Sequence, residues 1–218
     1  MGNKTVIAFD LDDTLYKERD YVFSAYREIT RYYGNIVPDD VKEKFFSFAK
    51  PYEAFDFLAA AVPGTDVEKM KEIYRSGNVP LADTECALET LTSLKNSGFR
   101  VAIITDGFSA RQRRKIQSLK LDAVTDCIII SEETGCDKHS PVPFRLLRET
   151  FPDASRFCYV GDNPEKDFYH PNIMGWNTAM IFDGKKQNIH SQDNAPSALH
   201  KAKTTLMFLK ETLKLYHG

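Results

Sequence analysis

Five short apolar runs, at residues 6–9, 101–105, 127–131, 157–160 and 178–182, constrain this chain more than any other feature. Each is rich in Val, Ile, Phe or Tyr and is bounded by Gly, Asp, Asn or Ser. None alternates polar with apolar residues, so the strands they predict are buried on both faces. Helical patterns separate the later runs. Within 83–96, Leu88, Leu91 and Leu94 recur at helical spacing, with Asp83 as the expected N-cap and Gly98 as the stop. Residues 109–119 predict a second helix, 141–151 a third with proline near its start, and 165–174 a shorter one ending at Gly175. This order predicts an α/β fold, a doubly wound parallel sheet with helices on both faces. Residues 196–216 read as a last helix with Leu199, Leu206, Leu209, Leu213 and Tyr216 roughly on one face, expected to pack on the core.

The stretch after the first run breaks the rhythm. Residues 17–82 hold no strand pattern but four helix-like segments, 20–33, 39–49, 52–61 and 67–76, punctuated by GNIVP, KP and PGT. The expected organisation is a core domain of residues 1–16 and 83–218 with an inserted helical lobe of residues 17–82.

Charge and cysteine usage exclude several roles. Twenty-nine basic against 31 acidic residues leave a net charge of −2, without the basic excess of a nucleic-acid binder. The one basic cluster, Arg111 to Lys115 (RQRRK), reads as the solvated face of a helix. Cys86, Cys127, Cys136 and Cys158 show no zinc-ligand spacing and are expected to be reduced, which favours a cytoplasmic location. The first residues lack a signal-peptide run, Val6 breaks the myristoylation pattern, and no run is long enough to span a membrane. A monomer or weak homodimer is expected.

In an open parallel sheet ligands bind at the carboxyl ends of the strands. After the first run come Asp10, Asp12 and Asp13; after the second, Thr105, Asp106 and Gly107. After the third comes a loop ending in Lys138, and after the fourth GDNPEKD, with Asp162 and Asp167. Asp10 and Asp12 are two apart, so an extended backbone would point both the same way. Like charges that close are costly unless a cation joins them. With Asp162 arriving from another strand, the set is a cage of hard oxygen ligands suited to Mg2+. Asp13 reads as a turn residue.

These motifs, FDLDDT, VAIITDG, DKHSPVPF and GDNPEKD, occur in the order found in the haloacid dehalogenase-like hydrolase superfamily, and the sequence resembles that superfamily over residues 4–20 and 83–183. Most of its members are magnesium-dependent phosphatases, and the helical insert lies where the family places its C1 cap. The resemblance implies that Asp10 is a nucleophile forming an aspartyl phosphate, and that Asp12 is the general acid and then the base. It implies that Asp10, Asp162 and the Asp12 backbone carbonyl hold magnesium, and that Thr105 bonds a phosphoryl oxygen. Lys138 would neutralise charge, Asp167 would orient Lys138 or bind a metal-bound water, and Thr14 would steady the turn. Phosphoryl transfer needs mostly in-line positioning and charge neutralisation, which these groups can supply.

Two positions depart from the family pattern. The usual K-P-x-P of the third motif is here KHSP, so His139 stands where a proline would stiffen the loop. Asp106 stands where Asn often comes after the Thr, and would repel a second substrate phosphate or pair with a basic group. True dehalogenases of the superfamily lack the second aspartate of D-x-D; Asp12 therefore favours a phosphate ester over a carbon–halogen bond. The second to fourth motifs resemble sugar-phosphate and nucleotide phosphatases, so a small phosphate ester is the expected partner. Tyr16, Lys17, Arg19, Tyr21, Lys50 and Tyr52 are candidates for substrate contact from the hinge and cap. The rival functions are a phosphomutase, which would return the phosphoryl group to its substrate, and a phosphoacceptor signalling module, which would keep it.

Overall fold

The computed structural model describes residues 5–76, 81, 86–182, 188, 192 and 200–202. By its internal contacts the chain divides into two compact units, Met1–Lys17 with Ala82–Gly218, and Glu18–Leu81.

The first unit is built on a parallel sheet. Its strands are β1 (Thr5–Phe9), β2 (Arg100–Thr105), β3 (Cys127–Ile130), β4 (Arg156–Gly161), β5 (Asn177–Ile181) and β6 (His200–Ala202). Among the described residues they stand in the order β3-β2-β1-β4-β5-β6, every pairing parallel. The first strand is therefore central, and the order reverses beside it, where a doubly wound sheet opens a crevice. The continuous apolar runs have their physical reason here, since all five residues of β1 are buried. On one face Val6, Ala8, Ala102, Ile104 and Tyr159 pack with Phe144, Leu147 and Trp176. The opposite residues Ile7, Phe9, Val101 and Ile103 are equally enclosed. The helices of this unit are α5 (Ala87–Asn96), α6 (Ser109–Ser118), α7 (Ser131–Thr134), α8 (Val142–Thr150) and α9 (Tyr169–Ile173).

The second unit holds α1 (Glu18–Tyr33), α2 (Asp39–Phe46), α3 (Pro51–Ala61) and α4 (Val67–Ser76), with no strand among its described residues. Its core is aromatic. Tyr26 lies 4.4 Å from Phe45 and 6.3 Å from Phe55, centroid to centroid, and Tyr21 meets Tyr74 edge-on at 5.3 Å. Pro51 opens α3 at the position where a missing N–H costs nothing. Asp66 caps α4 by accepting from the backbone N–H groups of Glu68 and Lys69 at 3.2 and 3.1 Å.

Several elements differ from the sequence reading. Ser131 starts α7 instead of ending a strand, and α2 stops at Phe46, where the Ser47 hydroxyl donates to the Lys44 carbonyl at 2.6 Å. The helix expected over 165–174 begins only at Tyr169. Before it, the Asp162 and Asn163 amides turn onto the Asp167 carboxylate and the Glu165 amide onto the Asn163 side chain, so the backbone there is a turn. Asp83 lies outside the described residues, as does most of the helix expected over 196–216. Its three described residues, His200–Ala202, form a strand beside β5 instead. All four cysteines are free thiols. Among the described residues no helix is long and apolar enough to cross a membrane.

Candidate active site

β1 ends at Phe9, and the Asp10 amide still donates to the Val160 carbonyl of β4 at 2.8 Å. A tight turn comes next, with the Thr14 and Leu15 amides both directed at the Leu11 carbonyl. Asp13 sits at its bend with φ +58°, a conformation that short polar side chains tolerate, so it serves the turn. Thr14 is buried in the same turn. Because the extended backbone stops at Phe9, Asp10 and Asp12 engage different partners.

Asp10 faces Lys138. The Lys138 ammonium donates to Asp10 Oδ1 and to Asp167 Oδ1, each at 2.6 Å, with all three side chains buried. The other oxygen of Asp167 accepts the backbone N–H groups of Asp162 and Asn163 at 3.1 and 2.8 Å. Asp167 thus has donors on both oxygens and is held rigidly beneath the lysine. This packing also explains Gly161, since a Cβ there would lie 2.4 Å from Asp167 Oδ2. Asp162 Oδ2 accepts from the Asn188 side chain at 2.9 Å, and Gln192 holds the Asp162 carbonyl at 2.8 Å.

Carboxylate oxygens of Asp10, Asp162 and Asp167 lie within 4.8 Å of one another. Three carboxylates against one ammonium group leave two negative charges, the charge of one divalent cation. The protonation behaviour agrees. Burial, helped by Asp167, pushes the Asp10 carboxyl up to about 7 in spite of Lys138. Burial, followed by Asp10 and Asp167, pushes Asp162 well above the usual carboxylate range. Burial alone would lower Lys138, but Asp10 and Asp167 outweigh it and hold the ammonium well above its ordinary value. The donor set, all hard oxygen, fits a divalent cation of the magnesium type.

Asp12 belongs to a separate cluster. Its carboxylate accepts from Lys115 Nζ at 2.5 Å, from Gln112 Nε2 at 2.7 Å and from the Tyr16 hydroxyl. Burial raises it, but the Lys115 charge and these hydrogen bonds prevail and hold it below the usual carboxylate range. The same Gln112 nitrogen donates to Thr105 Oγ1 at 2.6 Å, which leaves the threonine its own proton to donate. The basic cluster is therefore only in part a solvated face. Gln112 and Lys115, three apart on α6, are buried, while Arg113 and Arg114 point outward and Arg113 pairs with Glu133 at 2.7 Å. Neither Gln112 nor Lys115 was singled out from the sequence. The signal available was their spacing on the same face as the apolar Ile116.

The departures from the motif pattern are compensated. Asp106 takes the Lys166 ammonium at 2.9 Å and the Lys138 backbone N–H at 3.2 Å, so its basic partner comes from its own chain. The lysine loop, without its proline, is pinned by the His139 N–H on Asp137 Oδ1 at 3.0 Å and by His170 Nε2 on the His139 carbonyl at 2.7 Å. Gly107, at φ +135°, faces Ser131 Oγ, which accepts its N–H at 2.9 Å. A cavity of about 680 Å³ opens beside it, lined by Phe108, Arg111, Ser131, Cys136 and Asp137 among others. Of the candidate substrate contacts, Tyr16 is committed to Asp12, Tyr21 to the Tyr74 carbonyl, Lys17 to Asn188 at 3.1 Å and Lys50 to Glu53 at 3.2 Å. Arg19 lies 4.7 Å over the Phe23 ring, and Tyr52 is exposed.

Comparison with known proteins gives a consistent picture. A family model described as haloacid dehalogenase-like hydrolase matches residues 7–211. The chain is 28% identical to a glyceraldehyde 3-phosphate phosphatase of Methanocaldococcus jannaschii, over 95% of this chain and 98% of that one. It is also 28% identical to a ribulose-1,5-bisphosphate 5-phosphatase of Halopiger xanaduensis, over 84% and 87%. Among solved structures, the HAD-hydrolase YfnB of Bacillus subtilis, bound to magnesium, matches with a TM-score of 0.73 over 99% of each chain at 18% identity, a likeness of fold.

Proposed function

We propose that this chain, which belongs to the haloacid dehalogenase-like hydrolase family, is a phosphatase that hydrolyses a small sugar phosphate or nucleotide, with magnesium, through an aspartyl phosphate on Asp10. The observation that carries this reading is the buried cluster of Asp10, Asp162 and Asp167 with the Lys138 ammonium 2.6 Å from Asp10. Asp10, Asp162 and the Asp12 carbonyl would hold the cation, which supplies charge neutralisation at the phosphoryl oxygens.

The remaining work falls to the chain itself. An Asp10 oxygen attacks phosphorus in line with the departing ester oxygen. Asp12 gives that oxygen a proton, then takes one from the water that hydrolyses the aspartyl phosphate. Thr105 donates its hydroxyl proton to a phosphoryl oxygen, and Lys138, oriented by Asp167, counters the charge that builds there. Asp106 and Gly107 shape the loop under these groups. Relatives named for glyceraldehyde 3-phosphate and ribulose 1,5-bisphosphate support the sugar phosphate over the nucleotide.

The test is phosphate release from p-nitrophenyl phosphate and from a panel of sugar phosphates and nucleotides. Turnover is expected with magnesium, and none with EDTA or with Asp10→Asn. A phosphomutase would return the phosphoryl group to its sugar, and a signalling module would keep it on Asp10. A folded, magnesium-loaded protein that releases no phosphate from any of these would overturn the phosphatase reading.

A further inference from the structure

The second cluster does more than neutralise a carboxylate. Asp12 Oδ1 accepts from two donors, Lys115 Nζ and the Tyr16 hydroxyl, whereas among the described residues Oδ2 accepts from Gln112 Nε2 only. Each carboxylate oxygen offers two lone pairs, so Oδ1 is filled and Oδ2 keeps one open. The Lys115 side chain is 1% exposed and that of Asp12 20%, so the cation is sealed behind the carboxylate it holds. Gln112 gives the second proton of the same nitrogen to Thr105 Oγ1. One planar amide therefore sets the separation between Asp12 Oδ2 and the Thr105 hydroxyl. Only the NH2 end of an amide can face a carboxylate, so the side chain cannot turn over. Its Oε1 is left buried and without a partner among the described residues.

We infer that Lys115 and Gln112 are positioning residues for release of the phosphoryl group from Asp10, holding Asp12 with Oδ2 open to take a proton from the attacking water. The inference rests on the phosphatase reading. In this step a water O–H proton passes to Asp12 Oδ2 and the water oxygen bonds to phosphorus. The bond from phosphorus to the Asp10 oxygen breaks, and its electron pair returns to the Asp10 carboxylate.

Kinetics on p-nitrophenyl phosphate isolate this step, because nitrophenolate leaves without needing a proton. Its kcat/KM reports formation of the phosphoenzyme, and kcat reports its hydrolysis when that is slow. Lys115→Met and Gln112→Met are each expected to lower kcat at least about tenfold. For Lys115→Met, which leaves Gln112 on Thr105, KM should fall with it, leaving kcat/KM changed by less than about threefold. Phosphorylated protein should accumulate in acid-quenched samples read by intact mass. A merely structural defect would lower kcat and kcat/KM together with no phosphoenzyme, and that outcome, or an unchanged kcat, overturns the inference. Lys115→Gln, which keeps a hydrogen-bond donor at this position and leaves Gln112 on Thr105, decides the matter by the same readouts where Lys115→Met does not fold. Asp12→Asn is the control. If it too fails to accumulate phosphoenzyme, the phosphatase reading is at fault and not the positioning role.

Discussion

Asp10 and Asp12 are two residues apart and are treated in opposite ways by their surroundings. Burial, helped by Asp167, pushes Asp10 up to about 7, whereas Lys115 and its hydrogen bond overcome burial at Asp12 and hold it below the usual carboxylate range. The support behind them is as specific as the groups themselves. In Gly161→Ala the new Cβ would press on Asp167 Oδ2 at 2.4 Å and on the Asp167 Cβ at 2.9 Å, so Asp167 must move off Lys138. A displacement of that size is expected to lower kcat on p-nitrophenyl phosphate by about tenfold to a hundredfold. Overpacking should cost about 1–3 kcal/mol in urea unfolding. Near-native activity in this variant would show that Asp167 does not set the lysine. The residue types at the strand ends were legible because they are chemically distinctive there. Lys115 was not, because a lysine on a helix looks the same in sequence whether it faces water or a buried carboxylate.

At the scale of elements, the lysine loop between β3 and α8 shows how a missing proline is replaced. A proline would restrict the backbone locally. Here the restriction comes from elsewhere in the chain, through His170 at the start of α9, Asp137 within the loop and Asp106 after β2. His170→Ala removes the contact to the His139 carbonyl and should free the loop that presents Lys138. The expected result is a fall in kcat of about tenfold, as misplacement of a charge-neutralising group predicts. Circular dichroism and the melting temperature should stay near those of the parent. Unaltered kinetics would mean that Asp137 and Asp106 suffice. The sequence reading placed α6, α8 and strands β1 to β5 well, since periodicity and apolar runs are local signals, but it read the residues of β6 as helix. It extended α9 too far toward its N-terminus, because Asp167 and Asn163 draw the backbone amides of that segment into a turn.

Across the whole molecule, the sheet gathers β1, β2 and β4 side by side, and with them a concentration of negative charge that the folded state must tolerate. Asp10 and Asp162 are raised on folding, so the stability they contribute is present in full below about pH 4, where an unfolded aspartate is protonated. For Asp10 it is lost as pH rises through about 7. Asp12 is lowered, so its contribution is lost only in stronger acid, outside this window. In EDTA the melting temperature should therefore fall between pH 5 and pH 8, measured against reference acidic proteins of similar stability. Magnesium, binding the ionised cluster, should raise it strongly at pH 8 and little at pH 5. A magnesium effect of equal size at both values would argue against a cation on these carboxylates.

The amino-acid order alone determined the parallel sheet, the helical insert and the four motifs at the strand ends. Those properties arise from local patterns, since burial on both faces demands continuous apolar runs and the carboxyl end of a strand is marked by the polar residues next in the chain. Tertiary structure alone decided which side chains meet there. It brought Lys115 and Gln112 of α6 onto Asp12, Lys166 onto Asp106 and His170 onto the lysine loop. Lys115 lies 103 residues from its partner, Lys166 lies 60 from its own and His170 lies 31 from His139. No local pattern encodes contacts that exist only once separate strands and helices have packed together.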